Sequence, residues 1–492
     1  MTTMKNKLTK SLLGVAVLSM IFTSCSESFL EKEPTSFLTP EQLAEISKLN
    51  PGALKSSISG LYSLTFENPS EDDRDDVDFG QKALDINTDL MSGDMAMKGE
   101  SYNWFADASR LQIYRTTQYR NYKIWRYQYR LIKNTNLIFE ILGGDQVLPT
   151  KAELLPYYGQ AKAMRAYSYF QLVNMYGQQY TKDPNDLAVP VYLADTKGLG
   201  PQLTVADVYA LIEADLLQAI DALDGFTRTN KNEINQDVAK GMLAYVYLQM
   251  GNNAEAARLS GEVIANSKFP MLVKADVSTT GFNNWSSPNW MWAIDLTVDN
   301  SPALPTFWGH VDKFTYSYAW AGDAKIIDSD LYASIPPTDA RKNWFDADGL
   351  PIWKFYDAKR EIGANKTWDN DEVYMRIEEM YLINAEALAR DNRLPEAKTS
   401  FKVFLNQRDE TVAAQVDAMT EAVFLAAVEY NWRVEMWGEG RSLLTMKRFN
   451  STHTRGANHL SGMAGVVVTA DDPRLIFEIP QAEILNNPNV KL

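Results

Sequence analysis

Eight of the chain's twelve tryptophans crowd between Trp285 and Trp368: Trp285, Trp290, Trp292, Trp308, Trp320, Trp344, Trp353 and Trp368, with Tyr316 and Tyr318 among them. A flat ring can cover the apolar C–H face of a sugar while Asn, Asp, Arg or Gln side chains bond its hydroxyl edges. Exposed rings on a loop platform would therefore hold a glycan without any catalytic group. Trp and Tyr also dominate protein binding hot spots. The competing use is burial, because Trp is large and mostly enclosed in folded proteins. Trp290 and Trp292 stand two apart and would share one inward face of the short strand expected at residues 291–298. Trp308, Tyr316, Tyr318 and Trp320 flank the turn-like residues Pro302, Pro305, Gly309 and Gly322, and form the candidate ledge. A second candidate is Tyr102, Asn103 and Trp104, with Asp94 nearby, in a non-helical stretch.

Other chemistries find less support. The chain holds one cysteine and three histidines, which excludes an internal disulfide and any Cys-ligated zinc or iron–sulfur site. No H-E-x-x-H, P-loop, G-x-G-x-x-G or G-x-S-x-G pattern occurs. The acidic run over residues 71–78 lacks the spacing and distal Glu of an EF-hand and reads as a solvated loop. Calcium is compatible with that run but can be assigned to no residue, so no metal ligand or cofactor is expected. His310 has no matching ligands beside it. Sixty-three acidic residues would allow the two carboxylates of a glycosidase, yet no spacing selects a pair. The formal charge of −15 argues against nucleic acid, which needs clustered Lys and Arg.

The elements that must position these residues are mainly helical. Thr204 to Asp207 resembles a capping box, and the apolar residues that follow recur at 3.6-residue spacing to Leu223. Helical hairpins are predicted over residues 238–250 with 254–265, and over 374–390 with 395–407. Each breaks at Gly or Asn, residues that tolerate the left-handed conformation at a helix end. Laid on one another the hairpins match Ala244 to Ala385, Gly251 to Asn392 and Ala256 to Ala397, a pattern similar to the tetratricopeptide hairpin. Further helices are predicted over 120–142, 154–176 and 420–436. Glu429 and Arg433 in the last are spaced as an i,i+4 pair, worth about 0.2–0.5 kcal/mol on an exposed helix. Residues 269–370, rich in Pro, Gly, Asn, Asp and aromatics, read as an irregular loop and short-strand subdomain inserted into the helical scaffold.

The first residues read as an export signal. Lys5, Lys7 and Lys10 precede residues 12–22, apolar apart from Ser19 and too short to span a bilayer. Thr23, Ser24 and the sole cysteine, Cys25, follow. The run resembles a bacterial lipobox, with Phe22 where Leu is usual, which implies cleavage after residue 24 and lipidation of Cys25. Residues 25–40 would then be a tether and residues 41–492 the body.

Several segments together resemble the SusD/RagB family of outer-membrane nutrient-binding lipoproteins. They include Ser26-Glu27-Ser28-Phe29-Leu30 after the lipobox, Tyr129-Arg130-Leu131-Ile132-Lys133-Asn134, and Ala161-Lys162-Ala163-Met164-Arg165-Ala166-Tyr167 with Tyr176-Gly177. Met380-Tyr381-Leu382, the residues Glu429, Arg433, Glu435, Gly438, Glu439, Gly440 and Arg441, and Ile479-Pro480-Gln481 continue the likeness in the family's order. The resemblance implies a SusD-like α-α superhelix of four tetratricopeptide-like hairpins with a variable ligand-binding insertion. It implies ligand contacts around Asp94 and residues 102–104. It also implies that the chain is no enzyme but captures a glycan at the cell surface and passes it to a SusC-like TonB-dependent outer-membrane transporter. A surface glycosidase and a protein-binding tetratricopeptide scaffold are the alternatives.

Overall fold

The computed structural model describes residues 40–67 and 76–491. The predicted signal, Cys25 and most of the tether lie outside the described residues, as do residues 71–75 of the acidic run. The chain divides into two units, Met1–Ala53 and Leu54–Leu492. In the first, helix α1 (Pro40–Leu49) leads into a 3-10 turn, Pro51–Ala53. All that follows concerns the second.

This unit is mainly α-helical. Helices α2 (Leu54–Ser63) and α3 (Gln81–Ser92) precede a consecutive series: α4 (Tyr119–Leu142), α5 (Leu155–Tyr176), α6 (Val205–Ala222), α7 (Gln236–Met250) and α8 (Asn253–Ala265). After the irregular segment come α9 (Ile377–Arg390), α10 (Leu394–Asn406), α11 (Glu421–Glu435) and α12 (Ser442–Phe449). The ends obey local chemistry. Thr204 Oγ1 accepts the Asp207 N–H at 3.2 Å at the start of α6. Gly251 takes φ 77° between α7 and α8, and Asn392 takes φ 60° at the matching break between α9 and α10.

From α4 to α10 each helix packs on the next. The array runs straight across the gap in sequence, because α8 packs on α9 although residues 266–376 lie between them. Small residues allow the close approach: Ala256, Ala257, Ala385 and Ala389 are all buried. Asn384 Nδ2 donates across the seam to the Ala257 carbonyl at 2.9 Å and to Ser260 Oγ at 3.2 Å. Charges are also buried between helices. Asp215 of α6 accepts from Lys162 at 2.9 Å and from Arg165 at 2.7 Å, both on α5.

The irregular segment leaves and re-enters the array through a two-stranded antiparallel neck. Strands β4 (Trp290–Ile294) and β6 (Glu372–Arg376) pair with Trp290 opposite Arg376 and Ile294 opposite Glu372. A second pairing fixes the candidate site. Strand β1 (Met95–Met97) runs antiparallel to β5 (Lys325–Ile327), with Met95 opposite Ile327 and Met97 opposite Lys325. It draws the stretch after α3 against the inserted segment. Two small hairpins, β2 (Leu187–Pro190) with β3 (Gln202–Thr204) and β7 (Thr452–Thr454) with β8 (Val467–Thr469), lie elsewhere.

Candidate functional site

The β1 to β5 pairing continues into the loops beyond it. Lys98 N–H donates to the Ala324 carbonyl at 2.9 Å. The buried Asp323 carboxylate then accepts the Ser101 N–H at 2.9 Å and the Tyr102 N–H at 2.6 Å. Two aromatic patches far apart in sequence thus become neighbours, and the Tyr102 ring meets Tyr318 edge-on at 5.0 Å.

Beneath Tyr102 stands a column of rings. Tyr318, 8% exposed, stacks on His310 at 4.9 Å, and His310 stacks on Phe79 at 5.4 Å. Trp104, partly buried, leans edge-on against Tyr318 at 6.1 Å. The His310 imidazole is fully buried, bonds the Asp76 carbonyl through Nε2 at 2.6 Å, and is held well below its usual titration range by burial and by the Lys325 charge. It is a neutral core ring and a support. Tyr102 crowns the column with 48% of its surface open.

Beside it the chain turns sharply and displays two more rings. Tyr316 is 39% exposed, Trp320 is 46% exposed, and their centroids lie 5.0 Å apart. Trp320 can lie flat because Gly363, at φ 67°, has no side chain: a Cβ there would come within 2.7 Å of Trp320 Nε1. Trp368 closes the group, with its indole N–H donating to the Tyr316 carbonyl at 2.9 Å and its ring 6.4 Å from that of Tyr316. Its backbone is left-handed at φ 48°, as is that of Asn103 at φ 60°. The left-handed conformation costs a bulky residue such as Trp368 about 1–2 kcal/mol, whereas asparagine adopts it readily. Lys366 stands over the Tyr316 ring at 5.3 Å, and Asn103 is exposed beside Tyr102. Open ring faces bordered by an amide and an ammonium can stack on a sugar and bond its hydroxyls.

The structure corrects several expectations at once. Trp308 is 0% exposed, packed against Phe307 and Phe355, and cannot serve as a ledge residue. Tyr318 supports the ledge from below. Asp94 is fully buried and accepts both Nε and Nη2 of Arg433, the latter at 2.6 Å. It is a structural anion with no surface to offer a ligand. The same contact corrects the i,i+4 expectation, since the Arg433 guanidinium is directed to Asp94 and Glu429 accepts from Ser451. Trp290 and Trp292 are sealed in β4, as the core alternative predicts.

Two contributors escaped the sequence reading. Trp368 follows the polar run Asn365-Lys366-Thr367, the same kind of cue that singles out Trp320, and could have been included. Asp323 could not, because it acts on amides more than two hundred residues away. Two carboxyls raised by burial in this segment hold loops. Asp312, at about 6, accepts the N–H groups of Phe314, Thr315 and Asp357, and Asp371, at about 7, accepts those of Trp285 and Leu296. Of the acidic run, Asp78 is buried and paired with Lys123 at 3.1 Å. Among the described residues no three His, Cys, Asp or Glu side chains gather as a metal-binding group, and no helix is long and apolar enough to cross a membrane.

Comparison with known proteins gives these features a context. The family model described as "Starch-binding associating with outer membrane" matches residues 73–248, and the model of the SusD family matches residues 303–491. The SusD-like protein P25 of Formosa agariphila is 22% identical over 291 residues, which is 57% of this chain and 51% of that protein. The chain thus matches about half the length of that curated relative. A SusD-like carbohydrate binding protein from Bacteroides vulgatus superposes with a TM-score of 0.75 at 22% identity, covering 89% of this chain and 97% of its own. Surface glycan-binding protein A from Bacteroides uniformis does so with a TM-score of 0.67 at 18% identity, covering 90% and 99%. The first matched segment carries Tyr102 and the early helices of the array, the second carries Tyr316, Trp320 and the late helices, and the fold joins both. With its two matched halves and this helical scaffold, the chain belongs to the SusD/RagB family.

Proposed function

We propose that this protein captures an oligosaccharide on the surface formed by Tyr102, Tyr316 and Trp320, with Asn103, Trp104 and Trp368 at its border. The observation that carries the reading is selective exposure. Among the described residues Trp320 is the most exposed tryptophan, with 46% of its surface open to solvent, and it lies beside a similarly open tyrosine. Covering one ring face of about 40–50 Å2 contributes roughly 1 kcal/mol at about 25 cal/mol per Å2. Several rings acting together would give useful affinity for a chain of sugars, and weak binding at each suits a protein that must release its ligand.

The chain acts as a binder and not as a glycosidase: the buried carboxyls of Asp312, Asp323 and Asp371 are taken up by loop N–H groups. Lipidation at Cys25 would hold it to the outer membrane, each buried methylene contributing about 0.8 kcal/mol. The partner is a SusC-like TonB-dependent transporter, which the lipoprotein would cover. Bound glycan would favour the closed arrangement only through higher affinity for that state.

Affinity electrophoresis of the full chain through gels containing a panel of polysaccharides tests the binding step. One polysaccharide should retard the wild type, and the Tyr316→Ala/Trp320→Ala double variant should lose at least tenfold in affinity at an unchanged melting temperature. Undiminished retardation of the double variant would remove the ledge from the mechanism. Release of shorter sugars by the purified protein would favour the glycosidase.

A further inference from the structure

A second cavity, of about 230 Å3, opens on the helical array where α5, α7 and α9 end beside α12. It shares no residue with the aromatic ledge. Three cationic side chains line it, Lys447, Arg390 and Arg448, and no carboxylate does, in a chain whose formal charge is −15. The two arginines share Glu386: Arg390 donates through Nε at 3.0 Å, and Arg448 donates through Nε at 2.7 Å and Nη2 at 2.9 Å.

Lys447 is different. It is 4% exposed, and its ammonium donates to the Asn174 carbonyl at 3.2 Å, in the last turn of α5. That bond uses one of three N–H groups. Among the described residues no carboxylate lies within ion-pair distance of it. Burial, and then the Lys182 charge, lower this ammonium to about 7, as expected of a cation held from water without a counter-charge.

The lining also carries unused hydrogen-bonding capacity. Gln249 Nε2, a donor, and Asn253 Oδ1, an acceptor, are buried and have no partner. Buried polar groups are normally satisfied, so such a pair in one cavity marks a place for something polar. Tyr209 and Tyr180, edge to face at 5.1 Å, supply an aromatic wall. The volume lies below the range of drug-sized pockets and restricts the occupant to one small molecule.

We propose that this cavity binds a compact hydroxycarboxylate of monosaccharide size, its carboxylate on the Lys447 ammonium and the Gln249 amide, and a hydroxyl donating to Asn253. The assignment requires nothing of the ledge. A neutral sugar would leave Lys447 without a counter-charge, and an acid without hydroxyls would leave Asn253 without a donor.

Titration calorimetry of the full-length chain in detergent tests the proposal, with D-glucuronate as probe and D-glucose as its neutral counterpart. Glucuronate should bind saturably at one site per chain, and glucose at least tenfold more weakly. Lys447→Met should weaken glucuronate at least tenfold while its melting temperature stays at or above the wild-type value, since it removes an unpaired buried charge. Gln249→Leu, at a half-buried position, should weaken it as well and keeps the test decisive if the first variant folds poorly. The Tyr316→Ala/Trp320→Ala variant should bind glucuronate as the wild type does. Absence of saturable glucuronate binding, equal affinity for glucose, wild-type affinity in both cavity variants, or loss of binding only in the ledge variant would each overturn the assignment.

Discussion

Glu435 is the hub of the largest buried charge cluster described. It accepts from Arg341 at 3.2 Å, Arg376 at 2.6 Å and Arg408 at 2.9 Å. Asp339, Glu378 and Glu439 share those arginines, and Lys354 reaches Glu439 at 2.8 Å. Burial alone would raise the Glu435 carboxyl, but Arg408, Arg376 and Arg341 together outweigh it and hold it well below the ordinary range. Removing one member leaves the others buried and uncompensated. Glu435→Gln should destabilise the fold by about 3–5 kcal/mol in chemical denaturation. Asp89 is the opposite case. Burial, then the charges of Asp85 and Asp94, push its carboxyl up to about 8, although Gly438 and Gly440 donate backbone N–H groups to it. The folded chain therefore holds this proton more tightly than the unfolded one, whose value is near 3.8. Its contribution to stability is whole below that lower value and is lost as pH rises through about 8. Asp89→Asn should flatten the fall in stability between about pH 5 and pH 8, by up to about 1.4 kcal/mol per pH unit. An unaltered slope in denaturation series across that range would contradict this protonation state.

The seam between α8 and α9 closes the array across the inserted segment, and its closeness depends on alanine. Ala385 is fully buried. Ala385→Leu adds carbons where no space exists and should cost about 1–3 kcal/mol, read as a lower denaturation midpoint. Because α9 follows directly on β6, the same change should also loosen the neck and speed hydrogen exchange at Ala293 and Val373, which pair across it. Neighbouring helices elsewhere in the array should keep their protection. Equal acceleration throughout would mean that the seam has no local role.

Assembly of the ledge depends on two distant segments meeting, and Asp323 is the clasp. Asp323→Ala removes the shared acceptor of the Ser101 and Tyr102 N–H groups, bonds worth about 0.5–1.5 kcal/mol each because water can replace the carboxylate at these exposed residues. It should increase exchange at Ser101 and Tyr102 and weaken binding of whichever polysaccharide the wild type retains, with a smaller loss when Tyr316 and Trp320 are already alanine. If the losses simply add, Tyr102 works apart from the other two rings.

The helices were legible in the chain because periodicity, capping and left-handed breaks are local. Thr204 caps α6, Gly251 and Asn392 break the two hairpins, and the predicted ends of α4, α5 and α11 lie within a residue of those found. The family likeness was legible for the same reason, since it resides in short segments kept in order. Which tryptophan faces water was not. Trp308 and Trp320 have similar neighbours in sequence, yet Phe355 covers one and Gly363 opens beside the other. Asp94 likewise carried no local mark of its pairing with Arg433, 339 residues on. Exposure and charge pairing depend on atoms brought together only when the inserted segment folds back on the stretch after α3. Local sequence thus determined the scaffold, and long-range packing decided which rings became a surface.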